Sequence, residues 1–244
     1  MADFEKAYSK TLWYEGSYSN FNDDKGGETY RGVSRKYHEN WSGWSIIDGM
    51  KNQTGWIVQL DLDKELQKRV HEFYFANFWM KIKGEEIKDQ DVAEELYDTA
   101  VNMGIKYATI FLQKSLNVLN RNQRNYHDIA VDGAIGPQTL DILDRHIQLE
   151  GSSTHLLFWM NVYQAARYLE ISERDNTQEI FIRGWGKRIG FNGPYVVNQS
   201  DEDPPKDWLI PGDPVVKQYP VIKLKDVIKK KGFWDKFVDL LNGV

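Results

Sequence analysis

Residues 91–119 carry the strongest helical signal in this chain, and that signal constrains the fold first. Val92, Leu96, Ala100 and Met103 recur at helical spacing, and Ala108, Phe111 and Leu112 continue the stripe. Asp91 reads as an N-cap, with Glu94 three residues on as its capping-box partner. Gly104 inside the pattern costs about 1 kcal/mol relative to alanine, which implies close packing against another backbone or a ligand. Such a stripe needs other apolar faces to cover it. The chain supplies them: Phe4, Ala7, Tyr8 and Leu12 predict a short helix, and Leu62, Leu66, Val70, Phe73 and Phe78 predict one over 61–80. Leu157, Trp159, Met160, Tyr163 and Ala166 predict another over 154–171. Residues 28–33 read as a short strand or hairpin arm. The expected class is mainly α with a small β-hairpin.

The polar stretch 81–90, centred on Gly84, is the best boundary candidate. The expected organisation is therefore 1–90, 91–190 packed on it, and 191–244. The last part is a Pro-rich linker followed by an amphipathic helix, with Val227, Ile228, Phe233, Trp234 and Phe237 on it. That helix docks on the main body by default. A partner interface, giving a homo-oligomer, and a membrane surface are the other placements it allows.

The chemistry-bearing stretch is 13–33. Glu15-Gly16 stands where the first helix stops, followed by a loop with Asn20, Asn22, Asp23, Asp24, Gly26 and Gly27, and then by Thr29. Hydrolysis of a sugar polymer needs a protonated acid at the leaving oxygen and a second carboxylate, or a held water, on the other face of the sugar. Trp13, Tyr14 and Tyr18 flank Glu15, and an aromatic surround raises a carboxyl pKa by desolvation. That makes Glu15 the candidate acid, Asp24 the carboxylate that stays ionised, with Asp23 as its neighbour, and Thr29 the residue that positions water. Tyr18 and Tyr30 are candidate sugar contacts. Asp98 and Asn102, four apart on one helical face, are candidates for a cleft border. Trp41, Trp44 and Trp56 fit a core better than a cleft.

Composition narrows the alternatives. The 244 residues include no cysteine, which excludes disulfides and cysteine nucleophiles. The five histidines show no metal-binding spacing, so neither metal nor organic cofactor is expected. A formal net charge of −5 argues against nucleic acid as a partner. No apolar run is long enough to span a bilayer, so stable membrane insertion is not expected. The first residues lack the pattern of a secretory signal. If its sugar polymer lies outside the membrane, such a hydrolase is expected to stay cytoplasmic until lysis or a separate pore releases it to the cell wall or periplasm.

The string Glu-Gly-x-Tyr, then Asp-x-Gly-Gly-x-Thr-x-x-Gly, carried by Glu15, Gly16, Tyr18, Asp24, Gly26, Gly27, Thr29 and Gly32, resembles the signature of glycoside hydrolase family 108 muramidases. These are endolysin-like proteins, some labelled secretion activators. Ser17 and Lys25 depart from the usual Gly and Pro. A second string, Leu-Gln-x-x-Leu-Asn from Leu112 and then Val-Asp-Gly-x-Ile-Gly-Pro-x-Thr from Val131 to Thr139, is similar to peptidoglycan-binding helical modules. Asp132, Gly133 and Gly136 hold its loop, which the resemblance sets near glycan or peptide, and Pro137 suits the first position of a helix. The Gly-Trp-x-x-Arg element ending at Arg188 resembles the family's closing motif. Arg167, Arg183 and Arg188 either meet a carboxylate of the wall peptide or form structural ion pairs.

The resemblance covers about residues 4–189 and implies a lysozyme-like fold. The implied activity is cleavage of the β-1,4 bond between N-acetylmuramic acid and N-acetylglucosamine by a phage or prophage endolysin. A lytic transglycosylase and a non-catalytic peptidoglycan-binding or phage structural protein are the rival readings.

Overall fold

A computed structural model describes residues 1–12, 18–20 and 27–190. Residues Met1–Trp185 form one compact unit and Gly186–Val244 a second, of which 186–190 are described. The expected linker and amphipathic helix at 191–244 lie outside the described residues, as do Glu15, Asp24, Asp23 and Ser17.

Helix α1, Phe4–Leu12, forms as its spacing predicts and buries Phe4, Ala7 and Thr11. Phe4 packs against His71, Phe75, Trp79 and Tyr97, with ring centroids 5.0–5.7 Å apart. The N-terminus is tied down by backbone and amide bonds: Ala2 N–H donates to the Ile87 carbonyl at 2.8 Å, and Asp3 N–H to Gln90 Oε1 at 2.7 Å. The apolar core consequently runs across the expected division at 90/91, from Phe4 and Val33 to Leu112 and Leu116.

The sheet is three short antiparallel strands in the order β1 (Tyr18–Ser19), β2 (Thr29–Tyr30) and β3 (Val33–Ser34). Tyr18 pairs with Tyr30 and Ser19 with Thr29; Tyr30 in turn pairs with Val33. The turn between β2 and β3 places Arg31 at φ 43° and Gly32 at φ 76°, the left-handed pair that a two-residue hairpin loop favours.

Two predicted helices are each divided. The helix expected over 61–80 is α3 (Trp56–Leu62), α4 (Lys64–Tyr74) and a wider π turn at Phe75–Trp79. Asp63 ends the first and caps the second, accepting from Leu66 N–H at 2.7 Å. Its side chain competes for the amides that a continuous helix would use. Leu62, 68% exposed, therefore lies off the buried face.

The helix expected over 91–119 is α5 (Gln90–Met103) and α6 (Ile105–Leu119). Gly104 divides them at φ 91°, ψ 152°, a conformation open essentially to glycine alone. An added Cβ would meet nothing within 4 Å, so backbone conformation and not close packing requires this glycine. The N-cap is Asp89, which accepts from Val92 N–H at 3.0 Å, and not Asp91. Glu94 pairs with Lys10 at 3.0 Å and does not close a capping box.

Helices α2 (Gly43–Met50), α7 (Pro137–Glu150, with Pro at its start), α8 (Thr154–Arg174) and α9 (Ile182–Arg188) complete the described α-helices, and short 3-10 turns lie at Gly84–Glu86 and Asn176–Phe181. Trp44 is buried and Trp41 packs on it edge-on at 5.1 Å, so both serve the core. No helix among the described residues is long and apolar enough to cross a membrane.

Candidate active site

The segment holding Glu15 is bracketed by described elements: α1 ends at Leu12, three residues before it, and β1 begins at Tyr18, three residues after. Asp24 stands three residues ahead of Gly27, where description resumes. The sheet is therefore the described frame of the motif.

Thr29 is half-buried on β2, and its Oγ1 donates its one proton to the Gly27 carbonyl at 3.1 Å. Its lone pairs are left to accept from a water or a sugar hydroxyl. Tyr18, half-buried on β1, meets Trp56 edge-on at 4.7 Å and donates from its hydroxyl to Glu28 Oε1 at 3.1 Å. Burial and then that hydrogen bond raise the Tyr18 pKa.

Tyr30 lies elsewhere, and its expected sugar contact needs correction. It is 0% exposed, its hydroxyl donates toward the Leu60 carbonyl and Asp61 Oδ1 at 3.1 and 3.0 Å, and it accepts from Gln67 Nε2 at 2.8 Å. Neighbouring strand residues point to opposite faces, so Thr29 and Tyr30 do not share one. Tyr30 anchors the sheet to the α3–α4 junction.

Glu28 is the residue of this region that its sequence context does not reveal. Its carboxylate is 12% exposed, accepts from the Tyr18 hydroxyl, and forms ion pairs with Arg35 and Lys51, each at 2.8 Å. Asp48 joins the network through Arg35 and Lys51, each at 2.7 Å, and these hydrogen bonds hold its carboxyl down to about 2. Arg35 also lies over the Trp44 ring at 4.5 Å. Two cations and a phenol make Glu28 an anchor for the strand that carries Thr29.

A second polar group lies between α5 and α8. Asp98 and Asn102 are half-buried on α5, and Asn102 Oδ1 accepts from Tyr168 O–H at 2.7 Å. Tyr168 stacks on Trp185 at 4.6 Å with the rings 13° apart. Glu95, three residues before Asp98, belongs to the same stripe. Thr99 Oγ1 donates to its carboxyl at 3.3 Å. Burial first, and then the Asp98 charge, push the Glu95 carboxyl up to about 7.

Asp132 is in neither group. It is exposed in the α6–α7 connection, where Oδ1 accepts from Gln113 Nε2 at 2.8 Å and Ala134 N–H at 2.9 Å. Those bonds lower its pKa. Gln113 Oε1 accepts Gly133 N–H at 3.0 Å, and its Nε2 approaches buried Thr139 at 3.4 Å, so this motif closes its loop through one α6 amide. Of the three arginines expected near a wall carboxylate, Arg167 pairs with Glu170 at 2.5 Å and lies over Tyr107 at 4.6 Å.

Comparison with known proteins agrees with this layout. Residues 8–104 match the model of the family described as glycosyl hydrolase 108, and residues 107–190 that of a "Predicted Peptidoglycan domain". The first match ends at Gly104 and the second begins inside α6. Among curated proteins none matches. A solved structure, SagA of Brucella abortus, is similar at 22% identity and a TM-score of 0.49, covering 76% of this chain and 88% of that one.

Proposed function

We propose, on the match of residues 8–104 to the glycosyl hydrolase 108 family and of residues 107–190 to a peptidoglycan domain, that this peptidoglycan-acting glycoside hydrolase is a muramidase. It would cut the β-1,4 bond between N-acetylmuramic acid and N-acetylglucosamine. The observation that carries this reading is the Glu15–Gly32 motif lying inside the matched region and bracketed by α1 and the three-stranded sheet.

In the proposed mechanism Glu15 protonates the glycosidic oxygen as the bond breaks. Asp24 stays ionised and stabilises the positive charge that develops on the sugar ring, or takes a proton from the attacking water. Thr29, its own proton committed to Gly27, accepts a hydrogen bond from that water and turns a water lone pair toward the anomeric carbon. Tyr18 offers a ring face and edge to the sugar. Asp98, Asn102 and Asp132 extend the proposed substrate surface. The Glu15–Asp24 carboxyl separation sets the stereochemistry: roughly 5 Å gives retention, and about 6.5–9.5 Å admits a water and gives inversion. A phage or prophage endolysin, released to the wall by lysis or a separate pore, is the setting this activity suits.

The test is reducing ends released from purified sacculi by wild type beside Glu15→Gln. A 1,6-anhydro end group in the product would establish a lytic transglycosylase instead. Binding to sacculi without new reducing ends would establish a wall-binding protein.

A further inference from the structure

A cavity of about 360 Å³ opens between the α6–α7 connection and the first turns of α7. That size falls within the usual range for small-ligand sites, roughly 300–1,000 Å³. None of the residues named above as site candidates lines it. Its wall on the α7 side is one helical face, Gln138, Asp141, Ile142 and Arg145; its other wall includes Gln123, Arg124 and Asn125.

The connection is built with backbone strain. Arg121, Asn122 and Gln123 take φ values of 56°, 58° and 61° in succession, and none is glycine. Each such residue costs about 1 kcal/mol or more, so the surroundings must hold the turn. They do: Asn120 Oδ1 accepts Gln123 N–H at 2.9 Å, the Asn120 carbonyl accepts Asn125 N–H at 3.2 Å, and Asn120 Nδ2 donates to Asp128. Arg121 pairs with Glu150 at 3.0 Å. Beneath, the buried Tyr126 hydroxyl reaches the Leu116 carbonyl at 3.0 Å and His146 Nδ1 at 2.9 Å. This held turn carries Arg124 into the lining of the cavity that Arg145 also lines.

The charge inventory of the cavity is distinctive. Arg121, Arg167 and Arg174 each have a carboxylate partner. Arg124 and Arg145 have none among the described residues, although Asp141 lies in the same wall one helical turn from Arg145. Two unpaired guanidiniums suit a carboxylate through forked hydrogen bonds. The one carboxylate, Asp141, suits an ammonium. Gln123, Asn125 and Gln138 offer the donors and acceptors that a peptide backbone uses.

We propose that this cavity binds a short peptide by its free carboxylate, held between Arg124 and Arg145, with a nearby ammonium on Asp141. Taken with the muramidase reading, on which this last step rests, the ligand is the stem peptide of peptidoglycan. The arginines that would read the wall peptide are then Arg124 and Arg145, and not Arg167, which is already paired. The site lies within residues 107–190, apart from the glycan-cleaving motif, and would select wall regions whose peptides are uncrosslinked at the carboxyl end.

The experiment is calorimetric titration of the full chain with the stem tetrapeptide L-Ala-D-Glu-L-Lys-D-Ala and with its C-terminal amide. The free acid is expected to bind, and the amide about tenfold or more weakly, the loss that follows from removing a charge-assisted pair. Arg124→Gln with Arg145→Gln should weaken the acid by about 100-fold and leave the amide unchanged, and Asp141→Asn should weaken the peptide but not its Nε-acetylated form. Melting curves of the variants that overlay the wild type exclude unfolding as the cause. Equal binding of acid and amide, an unchanged affinity in the double variant, or no binding by the wild type would each overturn the proposal. Reducing-end release by the same wild-type preparation reports on the muramidase reading separately, so either can fail without the other.

Discussion

Glu95 offers the most quantitative prediction, because its environment fixes both a sign and a size. Its carboxyl rises from an ordinary 4.5 to about 7, through burial first and then through Asp98. Lys10, from α1, and hydrogen bonds from Thr99 and Asn161 act in the opposite direction without cancelling this. Between those two pH values the folded protein binds more protons than the unfolded chain, so stability falls as pH rises. The contribution is fully present below about 4.5 and lost once pH passes about 7. At about 1.4 kcal/mol per pH unit, the interval from 4.5 to about 7 corresponds to about 3 kcal/mol. Water reaching the half-buried side chain reduces that figure.

Glu95→Gln keeps the shape and removes the charge. Buried Asn161 Oδ1 has no hydrogen-bond partner among the described residues, and the new amide supplies a donor for it. Urea unfolding at pH 4.5 and pH 8 is the assay. The variant should match the wild type at the lower pH and exceed it by about 2–3 kcal/mol at the higher, equivalent to a Tm gain of roughly 4–12 °C for a chain of this size. Parallel stability curves for the two proteins across that range would refute the reasoning.

Other outcomes follow from the same structure. Gly104→Ala should destabilise by about 1–3 kcal/mol, seen as a lower urea midpoint, since alanine must adopt the φ of 91° that divides α5 from α6. Glu28→Ala leaves Arg35 and Lys51 to share Asp48 and should cost about 2–4 kcal/mol in urea unfolding, together with much of the wall-cleaving rate, because β2 loses its anchor. Thr29→Val should lower kcat on sacculi by about 10–100-fold through loss of an oriented water, while Thr29→Ser retains most of it. A valine variant as fast as the wild type would remove Thr29 from the mechanism.

Much of the fold was legible because apolar spacing reports buried faces directly. Phe4, Ala7 and Leu12 predict α1 with its observed bounds, and Val92, Leu96 and Ala100 predict the buried face of α5. What spacing does not report is backbone sign. Ala100, Met103 and Ala108 keep helical register across Gly104, so the φ reversal there leaves no trace in the pattern. Asp63 hides the α3–α4 break in the same way, since Leu66 remains at helical spacing from Leu62 on either side of the cap.

At the site, sequence proximity to the motif drew attention to Tyr30, but strand alternation turns it into the core. Glu28 and Glu95 escaped for the opposite reason. An isolated glutamate reads as a surface charge, and only the arrival of Arg35 and Lys51 at one, and of Asp98 and α8 at the other, gives each a defined role. The Asp132 loop was legible as a structural closure, while its use of Gln113 depends on α6 and α7 packing together.

In the proposed mechanism Glu15 supplies the proton in glycan cleavage. The most direct measurement is the rate at which reducing ends appear from purified sacculi with wild type and with Glu15→Gln, each first shown to melt at the same temperature. Steady release by the wild type and a loss of about 100-fold or more in the variant are expected, the size of a removed general acid. Equal rates in the two proteins would remove Glu15 from that role.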